Sequence, residues 1–210
     1  MTNLDHSPLT NSPRLILKDD PMSSDCYAVR LFLYYHQVPF QSDYADIDPL
    51  QPSDKIPELV VADDQIIYGI RPSLEFLAEF AAQPDWAEPS HAQHFQHWEA
   101  FHQQLKNCLG RLRQASLSMS TFLDDEDILQ EQSTVLLNQL NDHLCVQTVL
   151  QQQWLVAGKT PSIADLTIFP LVALSMDAGI DLDDFVHIRR WVQRMRKLPN
   201  FVPMPGLLES

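Results

Sequence analysis

Ser23-Ser24-Asp25-Cys26 stands immediately before an apolar run with helical spacing. Hydroxyls at a helix start can do two kinds of work. They accept hydrogen bonds from orphan backbone N–H groups as caps, or they donate to an anion drawn to the positive end of the helix. Cys26, one turn in, is open to two readings as well, a reactive thiol or a small buried hydrophobe. Further on, Gly69-Ile70-Arg71 stands just before another helical run that begins at Pro72, and only Arg71 carries a polar side chain there, a guanidinium suited to a carboxylate. His91, His94, His97 and His102 miss the i, i+4 spacing by which one helix face presents metal ligands, and no cysteine is near them. No metal site is expected; these histidines are expected to decorate a solvated helix or line a cleft. Cys26, Cys108 and Cys145 are odd in number and far apart, which suits reduced thiols rather than a disulfide framework.

The 210 residues are 45% hydrophobic and 20% charged, the balance of a globular chain with room for one large domain or two small ones. With 14 basic against 28 acidic residues, the net charge of −14 repels a phosphate backbone, so no nucleic-acid partner is expected. The one basic concentration, Arg189, Arg190, Arg194, Arg196 and Lys197, falls at the end of the last helical stretch, where cations complement the helix dipole. No apolar run is long enough to span a bilayer and residues 1–13 have no signal-peptide pattern, so a cytoplasmic address without membrane contact is expected.

The elements that must position these residues follow from periodicity. Residues 1–13, with Pro8 and Pro13 among small polar residues, read as a flexible tail. Arg14–Lys18 reads as a buried strand, the run around Cys26 to Tyr34 as a helix stopped by Val38-Pro39, and Phe40–Tyr44 as a second strand. Lys55–Ala62 and Gln65–Tyr68 flank Asp63-Asp64 as a hairpin, and Pro72–Ala82 returns to a helical period. The order β-α-β, β-β-α predicts a thioredoxin-like, four-stranded mixed sheet with helices packed on it. Residues 83–90, with Pro84 and Pro89, read as a linker. From 91 to 210 every periodic stretch is helical. Phe95, Trp98, Phe101, Leu105 and Leu109 form one expected core stripe; Val135, Leu136, Leu140, Leu144 and Val149 form another. The fold class is therefore α+β, a thioredoxin-like domain over 14–82 followed by an all-α domain. Five glycines and no G-x-G-x-x-G or Walker pattern leave no phosphate cradle.

Four local sequences in this order resemble the cytosolic glutathione transferase superfamily. Lys55-Ile56-Pro57-Glu58-Leu59-Val60 is similar to the family's K-V-P-x-L turn, and Ser23-Ser24-Asp25-Cys26 with Val29-Arg30 is similar to the S-S-C-S-x-x-V-R of zeta-type members. Trp154–Asp165 resembles the F-L-A-G-x-x-x-[ST]-x-A-D segment, and Trp191 to Phe201 the W-x-x-R-x-x-x-x-P-x-F closure. Within the third, Ser162 and Asp165 make a capping box on residue types alone, worth roughly 0.5 to 2 kcal/mol.

The resemblance implies glutathione as co-substrate, a small electrophile as substrate and a two-fold homodimer. It places the thiol-stabilising hydroxyl on Ser24, with Ser23 where omega-type members keep a nucleophilic cysteine. A thiol-disulfide mechanism would have to start from Cys26. Ile56, before a cis Pro57, would pair its backbone with the cysteinyl part of glutathione. The family's Glu-Ser anchor for the γ-glutamyl end falls on Gly69 and Ile70, which have no polar side chain; Arg71 is the remaining candidate. Trp98, Tyr34, Met119 and Phe122 are candidates for the apolar electrophile site. Two functions stay open: a transferase, or a non-catalytic member of the fold serving as a dimeric interaction module, which Gly69-Ile70 favours.

Overall fold

The computed structural model describes residues 15–44, 57–61, 65–82, 92–118 and 123–204. Four strands, β1 (Leu15–Asp19), β2 (Phe40–Tyr44), β3 (Glu58–Val61) and β4 (Gln65–Tyr68), form one sheet in the order β2-β1-β3-β4. β2 lies parallel to β1, while β3 is antiparallel to both its neighbours, so the sheet is mixed. In β1 the pleat turns Leu15, Leu17 and Asp19 inward in alternation. The expected strand therefore ends one residue later than its apolar run, because buried Asp19 is held by Arg30 and by the Ser42 hydroxyl at 3.2 Å.

Helix α1 (Ser24–Tyr35) makes the β1-to-β2 crossover, and α2 (Ile70–Phe80) follows β4. α2 starts two residues before the expected Pro72. Proline fits there because the first four amides of a helix have no intrahelical acceptor to lose. Among the described residues everything after 92 is helical or irregular: α3 (Ala92–Leu105), a π-helical turn (Lys106–Gly110), α4 (Arg111–Ser118), α5 (Glu126–Val149), α6 (Ile163–Ala173), a 3-10 turn (Ser175–Ala178) and α7 (Val186–Arg196). The sequence-expected tail, the linker at 83–90, Arg14, Ile56 and the Asp63-Asp64 turn lie outside the described residues.

One continuous core joins sheet and helices. α6 is apolar on every side and buried throughout Ile163–Val172, and α1 packs across it. Trp98, Phe101, Leu105 and Leu109 are buried as their spacing predicts. The second stripe needs correction. Val135 and Val149 are 50% and 78% exposed, and α5 instead turns Leu129, Ser133, Leu136, Leu137, Leu140 and Leu144 inward. That inner set repeats every three or four residues, whereas Val135 lies one step off it and Val149 lies beyond the last packed turn.

At the start of α6 both halves of the capping box form. Asp165 is completely buried and accepts from the Ser162 amide (2.8 Å), the Ser162 hydroxyl (2.8 Å), the Leu155 amide (3.0 Å) and Trp191 Nε1 (2.8 Å). Burial pushes its carboxyl up, and those four donors act against the rise.

Candidate functional site

Sheet direction brings three chain segments to one edge. β1 ends where α1 begins; β3, antiparallel to β1, must start at that end, and β4 must finish there. The register confirms it, with Lys18, Glu58 and Tyr68 in one row. Just beyond that row lie the turn into α1, Pro57 and Gly69, and the Gly69 amide donates to the Pro57 carbonyl at 2.8 Å. Gly69 has φ 88° and ψ 161°, a region essentially closed to residues with a Cβ. The position that the resemblance assigns to an anchoring glutamate is thus the hinge from strand to helix.

The two serines at the start of α1 have separate fates. Ser23 is the N-cap, its hydroxyl accepting from the Cys26 amide at 3.2 Å. Ser24 is the first helical residue and half-buried, and its hydroxyl has no hydrogen-bond partner among the described residues. A free O–H thus stands at a helix N-terminus, where aligned peptide dipoles concentrate about half a positive charge. Asp25 is buried yet ionised more readily than usual. Burial opposes its charge, but the His102 side chain at 3.3 Å and Lys106 Nζ at 2.7 Å more than offset that cost. Both partners come from the helical half, which is why no local pattern disclosed them.

Cys26 is completely buried, and its thiol is pushed up to about 12 by desolvation, only partly opposed by the Asp20 amide and Ser23. A thiol-transfer mechanism starting here requires the opposite shift. The packing gives Cys26 the role of a small core residue.

A cleft of about 490 Å³, counting its open mouth, lies against the α2 N-terminus. α2 contributes Ile70, Arg71 and Glu75; α3 contributes Trp98, Glu99 and His102; α6 supplies an apolar floor. Arg71 is held by Glu75 Oε1 at 2.8 Å and by Glu99, and the Glu75 hydrogen bond leads in raising its pKa. The corner therefore carries one cation and two carboxylates. Trp98 and His102 reach this cleft as the sequence reading allowed. Tyr34 does not: it sits at the far end of α1, edge-on to Phe40, about 15 Å along the helix from Ser24. Met119 and Phe122 lie outside the described residues, as does Ile56. Among the described residues no three His, Cys, Asp or Glu side chains cluster as metal ligands, and no helix is long and apolar enough to cross a membrane.

Residues 117–199 match the family described as "Glutathione S-transferase, C-terminal domain". No curated protein matches the sequence. Among solved structures, a glutathione S-transferase from Pseudomonas fluorescens [Pf-5] is similar at TM-score 0.78 and 23% identity, covering 91% of this chain and 98% of that one. A glutathione S-transferase from Xanthobacter autotrophicus py2 follows at TM-score 0.75 and 20% identity, covering 93% and 98%. FzlA from C. crescentus has TM-score 0.69 and 22% identity, covering 94% and 96%. These likenesses show the fold over nearly the whole chain, and the family match covers residues 117–199 of it.

Proposed function

We propose that this chain, with the fold of the glutathione S-transferases and a match to their C-terminal domain over residues 117–199, is a glutathione-dependent transferase in which Ser24 stabilises the glutathione thiolate. The observation that carries this reading is the division of labour at α1: Ser23 serves as the cap, which leaves the Ser24 hydroxyl unused by the fold at a helix N-terminus. The thiol gives its proton to solvent, and the thiolate is held by the Ser24 O–H and the α1 dipole. The sulfur then forms a bond to an electrophilic carbon, and the leaving group departs with its electron pair. Asp25, one residue on, would oppose an anion; Lys106 Nζ, paired with it at 2.7 Å, counters that charge.

The other end of glutathione needs a substitute for the missing Glu-Ser. Arg71 pairs with the γ-glutamyl carboxylate, and Glu75 and Glu99, freed in part from Arg71, take its ammonium. Backbone contacts fall to Ile56 beside Pro57. Small electrophiles, a two-fold homodimer and a cytoplasmic setting complete the reading.

Calorimetric titration of glutathione, with turnover of a general electrophile, tests it. Binding at millimolar concentration or tighter is expected, with kcat falling about 100-fold in Ser24→Ala and glutathione affinity about tenfold in Arg71→Ala. Absence of both heat and turnover at several millimolar glutathione overturns it. The second reading, a non-catalytic interaction module, is favoured by one observation, the lack of any polar side chain at Gly69 and Ile70.

A further inference from the structure

The turn that carries the chain from β1 into α1 presents three successive carbonyls, and each accepts from an arginine. Arg30, on α1 itself, donates from Nη1 to the Asp20 carbonyl at 3.2 Å and from Nη2 to the Pro21 carbonyl at 3.1 Å. The third carbonyl, that of Met22, takes its donor from the helical half, Arg113 Nη1 at 2.8 Å. Arg113 is 7% exposed, and its Nε is anchored on Asp177 at 3.0 Å. Asp177 stands on the 3-10 turn after α6, so the guanidinium bridges two elements of one half to a single peptide of the other.

The helix is shaped for this reach. The π-helical turn Lys106–Gly110 immediately precedes α4. A residue added to a helical turn rotates all that follows by about 100°. Downstream of it Leu112 and Arg113 are the residues of α4 turned inward. The arrangement is not the one that stability alone would select. Arg113 Nη2 is buried without a hydrogen-bond partner, which costs stability. Pro21 and Met22 are themselves exposed, so side-chain packing gives the turn little support.

We propose that Arg113 is a positioning residue for Ser24: held by Asp177, it fixes the Met22 carbonyl, hence the Ser23 cap and the direction of the Ser24 hydroxyl at the start of α1. The rigid fork matters more than the charge, because Nε and Nη1 are used in fixed directions that one ammonium cannot reproduce. The kinetic part of this inference rests on the transferase reading; the structural part does not.

Hydrogen exchange of the intact protein tests the structural part. The Met22, Ser23 and Cys26 amides bond to Asp20 Oδ1, the Asp20 carbonyl and Ser23 Oγ, so their exchange reports the turn and its cap. In Arg113→Lys these amides are expected to exchange at least tenfold faster while the denaturation midpoint stays near wild type. Asp177→Ala, which leaves Arg113 without its anchor, is expected to act in the same direction and serves if Arg113→Lys does not fold. In the kinetic arm, Arg113→Lys lowers kcat about tenfold with KM for glutathione within twofold, a split that general loosening of the fold does not give. Wild-type exchange at these amides in a folded variant overturns the inference. So does faster exchange with unchanged kcat. A wild-type protein that neither binds nor turns over glutathione sinks the transferase reading instead, and the exchange arm still decides whether Arg113 holds the turn.

Discussion

Two helices of this chain begin with serine and aspartate close together, and the two starts differ in what is left over. At α6, Ser162 and Asp165 spend every polar group inside the protein: a completely buried carboxylate collects two backbone amides, a hydroxyl and an indole N–H. At α1, Ser23 caps the helix, Ser24 keeps a free hydroxyl, and Asp25 draws its partners from the other half of the molecule. The first start holds the fold together and has nothing to offer a ligand. The second is held by residues distant in sequence and presents a donor at a positive helix end. Residue type is the same in both places; the degree of satisfaction separates a structural cap from a candidate site.

The largest way to break this contrast is at α6. Asp165→Ala strands four buried donors, and a loss of about 3–5 kcal/mol is expected in urea unfolding. A loss below about 1 kcal/mol would mean that the α6 start is no more structural than that of α1. Asp25→Asn comes next, with about 1–3 kcal/mol lost at neutral pH. The sign follows from the depressed carboxyl pKa: the stabilisation is complete above the unfolded value of about 3.9 and disappears as pH falls through the lower folded value. The wild-type and Asp25→Asn stability curves therefore converge in acid, and curves that stay parallel below pH 3 would refute the charged contact. Smaller still, Ser23→Ala costs about 1 kcal/mol as a lost cap, while Ser24→Ala changes stability by less than about 0.5 kcal/mol. Equal losses in thermal unfolding would erase the division of labour between the two serines. Finally, with a thiol pushed up to about 12, Cys26 holds roughly one thiolate in ten thousand at pH 8. Mass spectrometry after brief alkylation should find half-buried Cys145 labelled and Cys26 untouched; rapid labelling of Cys26 would show that the start of α1 opens readily.

Local pattern reached a long way into the fold. Alternation in Phe40–Tyr44, the β-rich run Gln65–Tyr68 and the three-and-four spacing around Trp98, Phe101 and Leu105 correspond to observed strands and a buried helix face. It failed at Val135 and Val149, since an apolar residue one step off the inner face of a long helix looks the same in sequence as one on it. For the candidate site, the chain's own order placed Ser23 and Ser24 at a helix start and left Gly69-Ile70 bare. Which serine caps, and that Gly69 is needed at a positive φ, became visible only in the backbone.

The sequence by itself determined the elements, the order that makes the mixed sheet, and the α6 capping box, because each depends on residues within a few positions of one another. Tertiary structure decided the rest. Cys26 was buried and its thiol pushed up, Asp25 was stabilised by His102 and Lys106, Arg71 was caught between Glu75 and Glu99, and the turn before Ser24 was gripped by Arg113. Desolvation and ion pairing act through space, and the partners that set them stand far along the chain from the groups they tune.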